Sequence, residues 1–585
     1  MNEIAPVRVA GTGTPVLEVR GLCTQFPLRT GILKAVDDVS FTLRRGETLA
    51  IVGESGSGKS VTARSILQIV DAPGGIVAGE ITLHHRDGSV VDLAKLPSRG
   101  RAIRDIRGAE IAMIFQEPMS SLSPVHTIGD QIMEVLRLHL RMTKRQARER
   151  ATELLRQVEI PNPEAALGRY TFEFSGGMRQ RAMIAMALAC NPSLLIADEP
   201  TTALDVTTQA EILDLIRRMQ AAYGMAVMFI THDMGVVAEI ADEVLVMYRG
   251  RVMESGNVDT IFHAPRDPYT RMLIGSVLKL EQKSELRRAR TEALPPRASA
   301  NPLQQAEVAS SRPPVLEIHN LSMHFGLPKS PIRAVDSVSL TLAPGETLGV
   351  VGESGSGKTT VGRCILRIYD PTSGAMTYRR PDGTTTDLAT ADRSTLAACR
   401  REIRMIFQDP FNSLNPRMTV AQIVGEPLLV NNVARGRALD DRVAELLEHV
   451  GLDPSARERY PHAFSGGQRQ RIGIARAIAL KPRVIVADEA TSALDVSLRA
   501  QVLDLLIRLQ DELGLSYIFI SHDIGVIRYM CDRVAVMYRG RVVETGLTEQ
   551  VCDAPTHDYT RALLSAIPRP DPRARRIHER VRYRA

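Results

Sequence analysis

Short apolar runs of four or five residues recur along this chain in two matching sets. The first set lies at 48–52, 194–197 and 226–230, and the second at 347–351, 484–487 and 517–520. Continuous runs of this length, rich in Val, Ile and Leu, are typical of parallel strands that are buried on both faces. Helical patterns follow the first run of each set, over 60–70 and 359–368. The pattern predicts an α/β fold in which each half has a mostly parallel core sheet covered by helices.

Four motifs occur twice in the same order, about 290 residues apart, which indicates a duplicated domain. The first is Gly53-Glu54-Ser55-Gly56-Ser57-Gly58-Lys59-Ser60, repeated as Gly352-Glu353-Ser354-Gly355-Ser356-Gly357-Lys358-Thr359. The second is Ser175-Gly176-Gly177-Met178, repeated as Ser465-Gly466-Gly467-Gln468. The last two are Asp198-Glu199 with Asp488-Glu489, and His232-Asp233 with His522-Asp523.

These repeats divide the chain into two domains that flank a tether. We expect an extension over 1–14, a first domain over 15–277, a linker over 278–314, a second domain over 315–567 and a basic tail over 568–585. Pro, Ser and Ala are frequent in the linker and block regular structure, although a short helix is possible around 281–290. Such a tether is long enough for the two domains to close on each other within one polypeptide.

Composition narrows the class of protein. The net charge is only +6, because the 73 basic residues are nearly balanced by 67 acidic ones. We interpret most of these charges as belonging to solvent-exposed surfaces. Arginines crowd together only in the tail, where contact with lipid headgroups or a partner is possible but a solvated terminus is the favoured reading. The chain has no secretory signal, no apolar run long enough to span a membrane and no Cys-x-x-Cys pair, so we expect a cytoplasmic protein without a zinc site.

The glycine-rich motif has the spacing of a phosphate-binding loop between a strand and a helix. Its small residues let successive backbone N–H groups face phosphate oxygens, and the following helix adds its positive end. Lys59 and Lys358 would reach the β- and γ-phosphates, and the hydroxyls of Ser60 and Thr359 would bind Mg²⁺. Two copies in matching context predict two sites for ATP with Mg²⁺.

The carboxylate pairs and the histidines stand at repeated offsets from one another. Asp198 precedes His232 by 34 residues, as Asp488 precedes His522. Asp198 and Asp488 would hold magnesium at a strand end. Glu199 and Glu489, expected on the opposite side of an extended chain, would polarise the attacking water. We interpret the two histidines as γ-phosphate sensors and not as incidental surface residues.

The Ser-Gly-Gly motif supplies backbone N–H groups and a hydroxyl at a second helix start, over 179–189 and 469–479. This arrangement is a further anion-binding helix terminus. One domain has no need of two such termini unless one of them binds the nucleotide held by the other domain.

Together these motifs resemble the ATP-binding cassette (ABC) ATPase family over nearly the whole chain. The resemblance implies two tandem P-loop NTPase domains, each with a helical subdomain and a small antiparallel β part beside the core sheet. The resemblance implies that Lys59 pairs with the signature at 465–468, and Lys358 with that at 175–178. It further implies that Gln116 and Gln408 contribute to the ATP and magnesium sites. Phe26 and Phe325 would stack on adenine, with a buried core phenylalanine as the alternative, and 203–205 and 493–495 would form the contact between cassettes.

Finer features resemble the oligopeptide/dipeptide/nickel importer branch, including fused two-cassette ATPases of glutathione and dipeptide importers. These features are the Ser/Asn-Ser-Leu-x-Pro segments at 120–124 and 412–416, and the Asp-Pro-Tyr-Thr and Asp-Tyr-Thr segments at 267–270 and 558–560. The resemblance implies two integral membrane permease subunits, an extracytoplasmic solute-binding protein and one fused ATPase chain per transporter at the cytoplasmic face. The chain departs from the usual pattern of this branch in three ways. It lacks the cysteine-rich tail that many relatives carry, it has Met178 where the signature usually has glutamine, and it has Ala490 where the first half has Pro200.

Two other classes of tandem-cassette protein fit less well. Ribosome-binding translation factors carry a charged helical linker and an Asn-His-Leu-Asp stretch, whereas this chain has a Pro-rich linker and Thr-Thr-Ala-Leu-Asp at 201–205. DNA-repair cassette ATPases need zinc cysteines or a long coiled coil, so we expect no nucleic-acid partner. The solute is not encoded in any motif that we identify.

Overall fold

The computed structural model describes residues 13–29, 31–116, 121–202, 204–280, 313–326, 331–409, 413–492 and 494–575, together with 581 and 583. Contacts divide it into two compact units. The first comprises Met1–Gly275 and Ile567–Glu579, and the second comprises Ser276–Ala566 and Arg580–Ala585. The predicted segments 1–12 and 281–312, including the possible linker helix, lie outside the described residues.

In the first unit, two sheets form the framework. An antiparallel sheet has the strand order β2-β1-β4-β5, and a six-stranded sheet has the order β10-β9-β3-β8-β7-β6. Five strands of the larger sheet are parallel, and only β10 pairs antiparallel, with β9. The strands are β1 (Pro15–Leu28), β2 (Gly31–Arg44), β3 (Thr48–Val52), β4 (Gly75–His84), β5 (Val90–Asp92), β6 (Ile111–Ile114), β7 (Leu194–Asp198), β8 (Ala226–Ile230), β9 (Glu243–Tyr248) and β10 (Arg251–Asn257).

The second unit repeats this plan, with the orders β12-β11-β14-β15 and β16-β17-β18-β13-β19-β20. Its strands are β11 (Leu316–Phe325), β12 (Ile332–Leu342), β13 (Thr347–Val351), β14 (Ser373–Arg379), β15 (Thr385–Asp387), β16 (Ile403–Ile406), β17 (Val484–Asp488), β18 (Ser516–Ser521), β19 (Arg533–Tyr538) and β20 (Arg541–Leu547). The predicted fold class, a mostly parallel core sheet with a small antiparallel part in each half, is confirmed.

Helices cover the sheets and form a helical subdomain in each unit. In the first unit they are α1 (Lys59–Ile66), α2 (Arg101–Ile106), α3 (Ile128–Leu140), α4 (Lys144–Gln157), α5 (Pro163–Ala166), α6 (Gly176–Ala187), α7 (Val206–Tyr223), α8 (Met234–Ile240), α9 (Val258–His263) and α10 (Pro268–Leu280). In the second they are α11 (Lys358–Ile365), α12 (Arg393–Glu402), α13 (Val420–Val430), α14 (Arg437–His449), α15 (Gly466–Ile478), α16 (Val496–Leu513), α17 (Ile524–Met530), α18 (Thr548–Asp553) and α19 (Asp558–Ser565).

The apolar runs form the centre of each parallel sheet, as expected. Every residue of β3, β7 and β8 is buried, and the same holds for β13, β17 and β18. β3 lies between β8 and β9, and β7 lies beyond β8. Because these strands are parallel, the phosphate loop that follows β3 lies at the carboxyl edge of the sheet, where β7 also ends. Open α/β sheets bind ligands at this edge.

The first helix of each unit is shorter than the predicted 60–70 and 359–368. Helix α1 ends at Ile66 because the Arg107 side chain donates to the carbonyl oxygens of Leu67 and Gln68, at 2.7 and 2.9 Å. Arg400 makes the equivalent bonds to Leu366 and Arg367 in the second unit, at 2.9 and 2.8 Å. The arginine lies 33 to 40 residues away in sequence, so local pattern could not reveal this end.

Among the described residues, no helix is both long and apolar enough to cross a membrane.

Candidate nucleotide-binding sites

Each glycine-rich loop wraps its own lysine. The Nζ of Lys59 donates to the carbonyl oxygens of Gly53 and Glu54 at 2.7 and 2.8 Å, and Lys358 makes the same pair of bonds at 2.7 Å each. Gly58, the N-cap residue before α1, has φ of 99°, and a Cβ there would lie 2.3 Å from the Ala35 carbonyl oxygen. Any residue with a side chain would therefore distort the turn that directs the loop's N–H groups inward.

The hydroxyl after each lysine contacts the aspartate at the end of β7 or β17, the strand beyond β8 or β18. Ser60 Oγ donates to Asp198 Oδ1 at 2.9 Å, and Thr359 Oγ1 donates to Asp488 Oδ1 at the same distance. The two aspartates are 3% and 2% exposed. Burial raises the pKa of both carboxyls, although the hydroxyl hydrogen bonds oppose it. A buried carboxylate beside a hydroxyl is an oxygen donor set that suits a small divalent cation.

The next residue, Glu199 or Glu489, lies in a hydrogen-bonded network with the predicted glutamine and histidine. Glu199 Oε2 accepts from Gln116 Nε2 at 2.9 Å, and Oε1 lies 3.2 Å from His232 Nδ1. Glu489 makes the matching contacts with Gln408 at 2.7 Å and His522 at 3.2 Å. Three residues that are distant in sequence, a glutamine, a glutamate and a histidine, are thus brought together within each unit.

The environment keeps both glutamates ionised. Burial opposes the charge, but the hydrogen bond and charge of His232 outweigh it and lower the pKa of Glu199 to about 2. The pKa of Glu489 is lowered by His522 in the same way. Burial disfavours the His522 cation as well, yet the contact with Glu489 raises its pKa overall.

The glutamates do not continue an extended chain, so that expectation was wrong. Glu199 and Glu489 have φ of 47° and 46°, in the left-handed region. Their N–H groups donate to the carbonyl oxygens of Ile230 and Ile520 at 2.9 Å, so the chain turns sharply where the strand ends. Strained backbone of this kind is common at functional sites, where the surrounding bonds hold it in place.

The signature serines cap the helices that they precede. Ser175 Oγ accepts from Met178 N at 3.3 Å, and Ser465 Oγ accepts from Gln468 N at 3.4 Å. The helices begin at Gly176 and Gly466, three residues earlier than predicted, because the serine cap recruits both glycines into the first turn. The pairing of each signature with the opposite phosphate loop stays a prediction.

Two tyrosines contact the phosphate loops, a role that the sequence analysis missed. The hydroxyl of Tyr269 accepts from Glu54 N at 3.2 Å, and that of Tyr559 accepts from Glu353 N at 3.1 Å. Each ring also packs on another tyrosine, with 4.5 Å between the Tyr248 and Tyr269 centroids. The repeated Tyr-Thr pair at 269–270 and 559–560 was the available signal.

The two candidate adenine-stacking phenylalanines lie at strand ends. The Phe26 ring lies against Gly74, where an added Cβ would approach within 2.4 Å. The Phe325 ring makes an edge contact with Tyr369, with 5.3 Å between centroids, and packs against the apolar core of the second unit. Their role toward adenine stays a prediction. Residues 117–120, 203, 410–412 and 493, which belong to the predicted segments after the glutamines and between cassettes, lie outside the described residues.

Comparison with known proteins agrees with this geometry. The family model described as ABC transporter matches residues 36–202 and 335–492, and the model described as oligopeptide/dipeptide transporter, C-terminal region, matches 253–302 and 543–584. The glutathione import ATP-binding protein GsiA of Pectobacterium atrosepticum is 48% identical over 97% of this chain and 91% of its own length. GsiA of Escherichia coli K12 is 49% identical over 96% of this chain and 91% of its own length.

Among solved structures, the dimeric post-hydrolysis state of the ATP-binding cassette MJ0796 with ADP and Pi is 29% identical. The match covers 40% of this chain and 98% of the MJ0796 chain, with a TM-score of 0.36. The family models account for both repeats, and the GsiA relatives account for nearly the full length. The chain therefore belongs to the ABC transporter family, as an ATP-hydrolysing subunit that carries two cassettes.

Proposed function

We propose that this chain powers an importer for glutathione, dipeptides or related small peptides from the cytoplasmic face of the membrane. The observation that carries the proposal is the pair of complete Gln–Glu–His networks, each beside a phosphate-loop lysine, in a chain 49% identical to a glutathione import ATP-binding protein. Both cassettes then hydrolyse ATP, and the family resemblance pairs each phosphate loop with the signature of the other cassette.

In each site, the residues have distinct tasks. The loop N–H groups and Lys59 or Lys358 bind the phosphates. Glu199 or Glu489, ionised at neutral pH, orients the attacking water and accepts its proton. His232 or His522 contacts one oxygen of that carboxylate, and Gln116 or Gln408 contacts the other. Loss of γ-phosphate would therefore change the contacts of both the histidine and the glutamine.

Magnesium fits the donor set beside each loop. Ser60, Asp198 and Gln116 would hold it in the first cassette, and Thr359, Asp488 and Gln408 in the second. The fit rests on the hydroxyl–carboxylate contact of 2.9 Å and on a buried aspartate whose carboxylate charge a cation would compensate. When bound, the ion would neutralise charge on the β- and γ-phosphates.

A groove beside Gln408 is suited to a membrane partner. It encloses about 450 Å³ between Phe407, after β16, and α13 of the helical subdomain. Phe407 and Val430 expose 42% and 71% of their surface there. We infer that a short cytoplasmic helix of a permease subunit docks in this groove and in its counterpart beside Gln116. The segment after each glutamine would transmit the state of the nucleotide to that helix.

The charge of this groove sharpens the identity of its occupant. Arg404 and Arg476 line it, and neither forms an ion pair with a carboxylate among the described residues. Burial lowers the pKa of both, and their mutual repulsion adds to the effect at Arg404. Arg400 and Glu426 line the same groove, so its three arginines face one carboxylate. A docking helix with acidic side chains would compensate the excess positive charge.

Copurification and uptake test the proposal together. A tagged chain carrying Glu199→Gln and Glu489→Gln would be isolated from detergent-solubilised membranes in the presence of ATP. We expect two polytopic membrane proteins in equal amounts with it, and we expect cells that lack the chain to lose uptake of labelled glutathione or dipeptide. Recovery of ribosomes without membrane subunits would replace this proposal with a translation role, and unchanged uptake of all peptides would overturn the assignment of substrate class.

A further inference from the structure

The two network glutamates are supported by different side chains, although their contacts with glutamine and histidine match. In the first cassette, Thr202 Oγ1 donates to Glu199 Oε2 at 2.9 Å. The equivalent residue of the second cassette, Ser492, instead donates its hydroxyl hydrogen to the backbone carbonyl oxygen of Glu489 at 3.0 Å. Among the described residues, the Glu489 carboxylate therefore lacks the direct contact that Thr202 gives to Glu199.

In the second cassette, one arginine connects the two chain segments that follow the network residues. Arg499, near the start of α16, donates from Nη1 to Asp523 Oδ2 at 2.7 Å and from Nη2 to the Leu494 carbonyl oxygen at 3.4 Å. Leu494 lies five residues after Glu489. Asp523 directly follows His522. A single guanidinium thus spans from the segment after the glutamate to the segment after the histidine.

The segment after Glu489 is held by turn bonds. Ser492 N donates to the Glu489 carbonyl oxygen at 3.1 Å, and Leu494 N donates to the Thr491 carbonyl oxygen at 3.3 Å. A displacement of Leu494 would therefore be transmitted to the backbone of the glutamate.

The segment after His522 is held just as closely. Asp523 N donates to Ser521 Oγ at 2.9 Å, and Asp523 Oδ1 accepts from Val526 N at 3.3 Å, which caps α17. His522 Nδ1 itself lies 3.2 Å from Glu489 Oε1. The contacts of Arg499 thus complete a closed ring of bonded segments that includes both the glutamate and the histidine.

The surroundings of Arg499 distinguish this contact from an incidental surface ion pair. Ion pairs in open solvent contribute little, whereas the Arg499 and Asp523 side chains are only 15% and 35% exposed. A cation near the amino end of a helix is also disfavoured by the helix dipole. Arg499 is therefore placed against the electrostatic preference of α16, and its two contacts compensate for that position.

The first cassette does not have this clamp. Gln209 occupies the position equivalent to Arg499, and its uncharged Nε2 lies 3.5 Å from Asp233 Oδ2, at the limit of a hydrogen bond. The support of the glutamate comes instead from the Thr202 hydroxyl. Each cassette thus has one device, a hydroxyl on the carboxylate in the first and a guanidinium behind the histidine in the second.

We propose that Thr202 positions Glu199 directly, and that Arg499 positions Glu489 indirectly by holding His522 against it. This assignment rests on the catalytic roles that the proposed function gives to the two glutamates. Neither Thr202 nor Arg499 acts on the attacking water, and each fixes the carboxylate that does. Because a small displacement of a reacting group reduces the rate strongly, each site should depend on its own positioning residue.

The first test is hydrogen exchange in the full chain without nucleotide. Arg499→Gln, which introduces the residue of the first cassette, should speed exchange at the start of α17, including Val526 N, by about tenfold, since local opening becomes easier. Arg508→Gln is the matched control, because it makes the same substitution on the same helix in a pair with Glu512. It should leave exchange at α17 unchanged.

The second test separates the two sites by ATP turnover. In a chain with Glu199→Gln, the remaining hydrolysis belongs to the second cassette, and Arg499→Gln should lower its kcat about tenfold with little change in KM. Arg499→Lys, which keeps the charge but not the two-pronged geometry, should recover part of the rate. In a chain with Glu489→Gln, Thr202→Val should lower kcat and Thr202→Ser, which keeps the hydroxyl, should not.

The outcomes decide each part of the proposal. Unchanged exchange at α17 in Arg499→Gln would overturn the clamp. An equal loss of kcat in the Glu199→Gln and Glu489→Gln chains, or no loss in either, would overturn the positioning of Glu489 by Arg499. Full turnover in Thr202→Val would overturn the positioning of Glu199. Because neither test involves solute uptake, failure here is distinguishable from failure of the importer assignment.

Discussion

The two cassettes are nearly identical where they face phosphate and different where they face other partners. The lysine, hydroxyl, aspartate, glutamate, glutamine and histidine contacts agree within 0.2 Å between the halves. In contrast, Ala112 and Met186 of the first cassette correspond to Arg404 and Arg476 of the second, which line the groove between Phe407 and α13. Similarly, Ala238, whose carbonyl oxygen accepts from Arg575, corresponds to Arg528, which pairs with Asp553.

The difference teaches that the residues around one repeated chemistry have diverged, and under the proposed function this divergence gives each cassette its own docking surface. Because a fused chain cannot exchange its halves, the proposed docking implies that each cassette meets only one permease subunit. The proposal predicts that Ala112 and Met186 in the first cassette, and Arg404 and Arg476 in the second, select different docking helices. The orientation of the ATPase on its membrane partners follows from this selection, and the variants below test how far the equivalence and the difference extend.

The largest expected effect tests the equivalence of the catalytic networks. Glu199→Gln and Glu489→Gln should each reduce ATP turnover strongly, and the double variant should lose roughly 10²–10⁴-fold, the usual cost of a missing general base. ATP binding should persist, measured with a fluorescent analogue. Glu243→Gln, a partly buried carboxylate outside the network, is the control and should keep normal turnover. Full activity in the double variant would refute the catalytic assignment.

The next effect tests the difference between the grooves. Arg404→Ala combined with Arg476→Met, which introduces the residues of the first cassette, should reduce solute uptake about tenfold, since charge-assisted hydrogen bonds contribute roughly 1.5–3 kcal/mol. ATP affinity of the purified chain should not change, because both side chains lie outside the phosphate site. Arg442→Met, on the surface of α14 and paired with Glu445, serves as the control. Unchanged uptake would mean that the groove charge does not recognise the partner.

A smaller effect distinguishes the two cassettes by pH. Burial, together with the charge of Glu47, raises the pKa of Glu243 to about 7. Since its unfolded pKa is lower, the folded state binds the extra proton, and the first cassette should lose stability as pH rises from about 4.5 to 7. Glu243→Gln should remove this loss and stabilise the cassette at pH 8 by on the order of 1 kcal/mol, a value reduced for partial solvent exposure.

The equivalent position in the second cassette is Arg533, which pairs with Glu346 at 3.1 Å. Arg533→Gln should therefore act in the opposite direction and destabilise the second cassette at pH 8, because a buried carboxylate would lose its partner. Urea titrations at pH 5 and pH 8, followed by hydrogen exchange in each cassette, measure both variants. The same sign of change in the two cassettes would contradict this comparison.

The smallest effect concerns the signature helices. Gln468 completes a capping box by accepting from Ser465 N at 3.1 Å, and Met178 has no group that can do so. Met178→Gln should add about 0.5–1 kcal/mol to the start of α6, seen as slower hydrogen exchange there. Hydrolysis should change by less than about tenfold, because the serine cap and both glycine N–H groups are already in place. A larger increase would show that the side chain itself acts on ATP.

The sequence alone was sufficient for the fold class and the duplication, and it named most of the residues that meet in each Gln–Glu–His network, whose catalytic role stays a prediction. Buried strands appear as continuous apolar runs because both faces are covered, and a phosphate loop needs glycines at set positions, so both leave local patterns. Repetition removed the ambiguity of single motifs such as an isolated Asp-Glu pair. Gln116 and Gln408 were found through the family resemblance, since nothing local marks a glutamine that reaches a glutamate 83 or 81 residues away.

The tertiary structure alone decided where helices stop, how the glutamates turn and what the tail contacts. Arg107 and Arg400 end the first helices from a distance, and Tyr269 and Tyr559 reach the phosphate loops from beyond the last strand. In the sequence, Arg573 is one of several arginines in a basic tail, and only the structure shows that it pairs with Asp259. The physical reason is common to all of these: a hydrogen bond or ion pair depends on the position of both partners, and local sequence specifies the position of only one.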